Sequence, residues 1–412
     1  MIVPLLVLVA IFVLIAVRKI GKFKFELWQI MLLGAIVVLI TNQISPLNAL
    51  KSIHLEVMLF LFAMFIIGQA LEESGYLSHL SYQIFKRAGS AKQLLFGIIF
   101  GMGIASAVLM NDTIAIIGTP IVLLLARKHC LPAKPLLLAL AFSITIGSMI
   151  SPIGNPQNLL IALNGNIENP FVHFIKIFFI PTLINLFLAY LMISFFYRDS
   201  FRCSLNHIQE KIKDHKLALL SKISLLLLLF LIALKIALAL FHLPFDFSIA
   251  SIALLSALPI VIGSSKRTEI IKKIDWHTLI FFVTMFIVMQ SVWDTGFFQM
   301  IIDHSKLEIT SPEAIITISI LLSQVISNLP LVALYLPLLL HAGAGTLEVS
   351  ALAVGSTIAG NLFILGAASN IIIIQNAEKK GSETITFFEF AKIGIPLTIL
   401  NALVYWLFLS VF

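Results

Sequence analysis

Apolar runs of roughly bilayer length alternate along this chain with short charged segments. They predict ten membrane spans, over residues 2–17, 26–42, 54–72, 135–163, 169–197, 218–241, 246–263, 275–295, 348–377 and 388–411. Two further apolar stretches, 94–126 and 311–340, are too short for two crossings of about 20 residues plus a turn. Each carries a polar cluster near its middle, Asn111-Asp112-Thr113 in one and Ser327-Asn328-Leu329-Pro330 in the other. Both read as re-entrant helical hairpins. Spans 135–163 and 348–377 are interrupted by Gly154-Asn155-Pro156-Gln157-Asn158 and by Gly366-Ala367-Ala368-Ser369-Asn370. Freed backbone at membrane depth is tolerated only where protein or a watery cavity surrounds it, so four such breaks point to one site.

The two halves repeat. Ile53–Leu77 and Ile274–Phe298 align without gaps, sharing Phe60/Phe281, Met64/Met285, Gln69/Gln290 and Gly75/Gly296. Further on, Asn111 aligns with Asn328, Pro120 with Pro337 and, after a small shift, Gly154 with Gly366 and Asn158 with Asn370. Residues 1–197 and 218–412 each hold five spans and one hairpin, with 198–217 as a charged linker loop. Five is odd, so the second half is expected to be inverted relative to the first, a recurrent design of secondary transporters.

Composition agrees with the pattern. Of 412 residues 60% are hydrophobic and 11% charged, and the mean hydropathy is +1.06, which describes a polytopic all-α membrane protein. The net charge of +7 does not signal nucleic acid, because the basic residues lie in short loops and form no continuous face. Most of the 27 Lys and Arg fall on one set of loops, while the other set holds only Lys51, Lys176 and Lys306. The positive-inside rule makes the rich side cytoplasmic and puts both termini on the outer, periplasmic side. Arg18 and Lys19 follow the first apolar run where a secretory signal would have charge before it, so that run reads as a retained span. Cys130 and Cys203 have no metal-ligand spacing and read as free thiols.

The breaks supply the candidate chemistry. Helix N-termini offer unpaired N–H groups and a partial positive charge suited to an anion, and the preceding helix ends expose carbonyls suited to Na⁺. The candidate binding residues are Asn111, Asp112, Thr113, Gly154, Asn155, Gln157, Asn158, Ser327, Asn328, Gly366, Ser369 and Asn370. Asp112 is the one carboxylate deep in apolar sequence, where a charge costs about 2.5–3.5 kcal/mol on insertion scales. It reads as a Na⁺ ligand or proton carrier, with an N-cap as the plainer alternative. Na⁺ is assigned to Asn111, Asp112, Ser327 and Asn328. Lys235 lies in a span near its end and reads as structural. The chain has no Walker, zinc or Ser-His-Asp pattern, so neither an enzyme nor a resident cofactor is expected.

Met110-Asn111-Asp112-Thr113 with Thr119-Pro120, Gly154-Asn155-Pro156-Gln157-Asn158, Ser327-Asn328-Leu329-Pro330, and Gly360-Asn361-Leu362 with Gly366-Ala367-Ala368-Ser369-Asn370 resemble the ion transporter superfamily. The nearest branch is the ArsB/NhaD-type permeases, related to divalent anion/sodium symporters. The resemblance adds Asn361 to the candidate site. It implies an elevator mechanism, a homodimer, Na⁺ or H⁺ coupling and a bacterial inner membrane. The hairpins and broken spans would then move against a scaffold of spans 1, 2, 5, 6, 7 and 10. Better-known carboxylate members carry Ser-Asn-Thr where this chain has Asn111-Asp112-Thr113 and Ser327-Asn328-Leu329, which brings it closer to the arsenite-efflux and antiporter branches. The expected function is cation-coupled transport of a small anion or oxyanion. The alternatives are Na⁺/H⁺ antiport, arsenite/antimonite efflux or, from another class, an ion channel.

Sidedness is directly testable. In a background without Cys130 and Cys203, single cysteines at Ser204 and Ser382 should react only with reagent that reaches the cytoplasm. One at Thr346 should react from outside. Labelling of position 204 in intact cells by an impermeant maleimide would reverse the orientation.

Overall fold

The computed structural model describes residues 2–17, 19–20, 23–86, 88–201, 212–240, 248–296, 311–380 and 385–411. Cys203, Lys306 and residues 202–211 of the expected linker lie outside the described residues. The chain runs through α1 (Ile2–Val17), α2 (Leu27–Ile40), α3 (Pro46–Lys51), α4 (Leu55–Glu73), α5 (Tyr76–Phe85), α6 (Ala91–Leu109) and α7 (Asn111–Lys128). It continues through α8 (Ala133–Gly147), α9 (Pro156–Asn164), α10 (Pro170–Phe196), α11 (His215–Leu240), α12 (Ile249–Gly263) and α13 (Arg267–Lys273). The remaining helices are α14 (Trp276–Trp293), α15 (Pro312–Ile326), α16 (Asn328–His341), α17 (Thr346–Ile358), α18 (Ala368–Lys379) and α19 (Phe387–Leu409). Among the described residues the only strand pairing is a two-residue bridge of Lys19-Ile20 with Phe23-Lys24. Among the described residues seven helices are long and apolar enough to cross a membrane: α4, α6, α8 with its 3₁₀ extension to Ile150, α10, α11, α14 and α19. The protein is an all-helical integral membrane protein.

Local sequence explains where the elements stop. Ser90 and Ser311 cap α6 and α15, their Oγ atoms accepting from the N–H groups of Gln93 and Ala314. Residues 94–126 fall in α6 and α7, which pack together on either side of Met110; α15 and α16 do the same around Ser327. Met110 (φ 64°, ψ 146°) and Ser327 (φ 67°, ψ 155°) sit in a region of backbone space almost reserved for glycine. Such conformers cost about 1–3 kcal/mol each and persist only where the surroundings over-determine them. At 19 residues α6 is as long as a full span, so length alone does not mark this segment as a hairpin arm; the break at Met110 does.

The helices form two groups that meet along a seam. One, the frame, contains α1, α2, α4, α11, α12 and α14. The other, the block, contains α6 to α10 and α15 to α19. This corrects the expected scaffold: spans 5 and 10, here α10 and α19, pack on each other and on the interrupted helices. The reason is local and polar. Thr182 of α10 and Tyr405 of α19 share a 2.7 Å hydrogen bond, both fully buried. A Cβ on Gly394 of α19 would stand 2.2 Å from the Asn361 carbonyl oxygen, so α19 lies directly against the second break.

Small residues set the block's density, as they do wherever membrane helices approach backbone to backbone. Ser106 Oγ of α6 reaches the Gly103 and Ile144 carbonyls at 2.7 and 2.8 Å, tying α6 to α8. A Cβ on Gly147 would lie 2.0 Å from the Gly103 carbonyl oxygen, which only backbone movement could relieve. Gly147→Ala is therefore expected to cost about 1–3 kcal/mol, as overpacking does. The matched control is Gly101→Ala, whose added methyl meets nothing within 4 Å. Thermal midpoints in detergent should fall for the first and hold for the second; equal midpoints would contradict the packing.

Candidate functional site

The four breaks converge, but they are built differently. Asn111 N–H donates to the Gly154 carbonyl at 2.9 Å, joining the α6–α7 tip to the break between α8 and α9. That first break satisfies itself. Asn155 Nδ2 donates to Ser148 Oγ at 2.9 Å and to Thr357 Oγ1 at 3.2 Å, while Thr357 Oγ1 donates to Asn158 Oδ1 at 3.0 Å. Asn158 Nδ2 reaches the Ser148 and Ser151 carbonyls at 3.3 and 3.4 Å, and Asn155 Oδ1 caps α9 through the Asn158 N–H at 2.8 Å. A Cβ at Gly154 would meet the Ser148 carbonyl oxygen at 2.0 Å, so this crossing requires glycine.

The second break, between α17 and α18, is not satisfied. Gln324 Nε2 donates to the Ile320 and Ala359 carbonyls at 2.9 Å each, and Asn370 Nδ2 to the Gly360 carbonyl at 2.7 Å. Among the described residues, Gln324 Oε1, Asn361 Oδ1, Ser369 Oγ and Asn370 Oδ1 have no hydrogen-bond partner, and neither does Asn328 Oδ1 at the α15–α16 tip. These are buried oxygens, four of them amide acceptors. A buried acceptor left unmade costs about 1–3 kcal/mol, so the cluster is poised for a donor or a cation.

Asn111, Asp112, Gln157, Ser327 and Asn328 line one cavity of about 90 Å³, together with Pro156, Ala367 and Ala368 of the breaks. Its opposite wall is His54 and Val57 near the start of α4 with Phe282, Met285, Phe286 and Met289 of α14. Polar tips on the block thus face a mainly apolar wall on the frame. Asp112 is 8% exposed, and its Oδ1 has no hydrogen-bond partner among the described residues. It stands in the first turn of α7, whose N-cap is Met110, so the helix end offsets part of its charge.

Other predicted residues do not line this cavity. Thr113 faces a separate apolar pocket with Met110, Ile153 and Lys235. Gly154, Asn155 and Asn158 are absorbed in the first break. Asn361, Gly366, Ser369 and Asn370 are buried, and it is their neighbours Ala367 and Ala368 that line the cavity. Sequence reasoning missed Gln324, Ser148, Thr357 and His54. Gln324 had a signal, being a polar residue one helical turn before the Asn328 cluster; Thr357 had none, since a threonine in an apolar helix commonly bonds its own backbone.

A model of the citrate transporter family matches residues 11–355. A silicon efflux transporter of Oryza sativa subsp. japonica is 27% identical, the match covering 89% of each chain. A 46 kDa membrane protein of Mycobacterium leprae is 28% identical over 84% of this chain and 83% of its own. A putative transporter, arsB, of Dictyostelium discoideum is 21% identical over 90% and 85%. Among solved structures, the YdaH transporter of Alcanivorax borkumensis aligns with 99% of this chain and 96% of its own, at a TM-score of 0.48 and 14% identity.

The unequal breaks predict unequal mutants. Asn158→Ala removes a partner from Thr357 and from two carbonyls and should cost about 1–3 kcal/mol of stability. Asn361→Ala deletes an amide without partners among the described residues and should leave the thermal midpoint nearly unchanged. A larger loss for Asn361→Ala than for Asn158→Ala in the same melt would reverse this assignment.

Proposed function

The chain belongs to the citrate transporter family, and from that premise we propose that it is a cation-coupled secondary transporter of a small anion or oxyanion. The observation that carries this reading is the cavity of about 90 Å³ between polar block tips and the apolar frame wall. A solute held by Asn111, Gln157, Ser327 and Asn328 has helix N-termini at α7, α9 and α16 to receive negative charge. Val57, Phe282, Met285 and Met289 offer no hydrogen bonds, so the block could slide past them without breaking polar contacts. That supports an elevator motion of block against frame.

The half-chains 1–197 and 218–412 are proposed to be inverted repeats joined by the 198–217 loop. Equivalent positions share unusual backbone: Met110 and Ser327 at both tips, Gly75 (φ 75°) and Gly296 (φ 70°) after α4 and α14. The proposal places a homodimer in a bacterial inner membrane with both termini outside. Na⁺ or H⁺ is the coupling ion. Asp112 with Asn111, Ser327 and Asn328 is the expected ion locus, and the unpartnered oxygens behind Asn328 extend it toward Gln324 and Asn370. The family named for citrate, the relative named for silicon efflux and the resemblance to arsenite-efflux permeases set the first substrates to try. Na⁺/H⁺ antiport is the second reading, favoured by the buried Asp112 Oδ1 that has no hydrogen-bond partner among the described residues.

The test is transport by purified protein in proteoliposomes, with citrate, arsenite and silicate under imposed Na⁺ or H⁺ gradients. Asp112→Asn keeps size and capping ability, since Asn and Asp cap about equally well. It should fold and melt like the parent yet lose ion-stimulated transport by roughly tenfold or more, about 1.4 kcal/mol. Wild-type rates with unchanged ion dependence would remove Asp112 from coupling.

A further inference from the structure

The seam between frame and block opens at one end of α4 and α14 and closes at the other. At the open end, His54 and Leu329 border three cavities, of about 90, 440 and 490 Å³. At the closed end, Gln69, Glu72, Asp275, Asn376, Lys379 and Lys380 surround a cavity of only about 20 Å³, enough for about one water.

The two ends correspond through the sequence repeat. Aligning Ile53 with Ile274 pairs His54 with Asp275, Gln69 with Gln290 and Glu72 with Trp293. His54, Gln290 and Trp293 line the 440 Å³ cavity, and Asp275, Gln69 and Glu72 line the 20 Å³ one. On the block, aligning Asn111 with Asn328 pairs Ile116 with Ala333, and these too line the small and the large cavity respectively. The small cavity is the counterpart of the large one, with its walls drawn together.

Several polar contacts cross the seam where it is closed. Lys380, just after α18, forms an ion pair with Glu72 of α4. Thr278 of α14 donates to the Asp275 carboxylate at 2.7 Å and also reaches Gln375 Oε1 of α18 at 3.1 Å. Lys379 donates to the Lys273 carbonyl, and Lys273 itself holds Glu73 at 2.6 Å. We infer that this small cavity is the closed inner mouth of the transport pathway, and that Glu72–Lys380 with Asp275–Thr278–Gln375 is the latch that holds it shut. The inference rests on the transporter reading and adds to it the residues that must part before the solute can leave on the basic-loop side.

The test needs no substrate. In full-length protein lacking Cys130 and Cys203, Ile116→Cys reports the inner mouth and Leu329→Cys the outer one. Each is labelled by an impermeant maleimide, the first in inside-out vesicles and the second in right-side-out vesicles. Glu72→Gln and Lys380→Gln should each speed labelling at 116 and slow it at 329 by about two- to fivefold, the range one half-exposed ion pair can supply. The charge swap Glu72→Lys with Lys380→Glu should restore both rates, which a misfolded protein would not do. Unchanged labelling in the single variants, or a swap as leaky as they are, overturns the latch while gradient-driven uptake still supports the transporter. Fast labelling of both reporters in the unmutated gate would mean an open pore and would overturn both.

Discussion

A helix interrupted at membrane depth must find partners for its loose ends inside the protein, because lipid offers none and each unmet group costs several kcal/mol. This chain is interrupted four times, at Met110, between Gly147 and Pro156, at Ser327, and between Ile358 and Ala368. The rest of the block follows from gathering those ends together. The Asn111 N–H on the Gly154 carbonyl joins a tip to a break, and Thr357 ties the first break to the helix that precedes the second. Glycines stand where one strand of backbone crosses another, at Gly154 against Ser148 and at Gly366 against Ala359.

Having met, the ends divide the work. The first break has its amides satisfied, within the break and by Thr357 of α17. The second leaves amide and hydroxyl oxygens unpaired beside Gln324 and Asn328, at a depth where leaving them so is costly. A cation or a donor-bearing solute is the kind of partner those oxygens could accept, which is why the proposed ion locus extends to them. Asp112 sits across the cavity among neutral groups, which suits a carboxylate that gains and loses a partner during a cycle.

The frame contributes shape more than chemistry. Its wall facing the tips is built chiefly from Val57, Phe282, Met285, Phe286 and Met289, with His54 at the edge. Polar links between frame and block gather at the end near Glu72 and Asp275, and they are the kind a water-exposed boundary can make and break. On the proposed elevator reading, an apolar wall with a polar clasp at one end would let the block move without passing through an intermediate full of unsatisfied groups.

Much of this was legible along the chain because hydrocarbon imposes one-dimensional rules. Span lengths follow bilayer thickness, so α4, α10, α11, α14 and α19 could be read from hydropathy alone. Polar residues are rare enough in lipid that Asn111-Asp112 and Ser327-Asn328 announced the cavity they line. Which helix lies on which was not legible. Spans 5 and 10 look like generic lipid-facing helices, and only the Thr182–Tyr405 bond and the bare surface of Gly394 place α10 and α19 with the block. The same holds for direction and partnership. Thr113 follows Asp112 in sequence but turns to another pocket, because neighbours on a helix point about 100° apart. Thr357 joined the first break through contacts with Asn155 and Asn158, about two hundred residues away in sequence. Hydropathy records what each segment must avoid, whereas the packing of small residues decides what it touches, and that decision is made only in three dimensions.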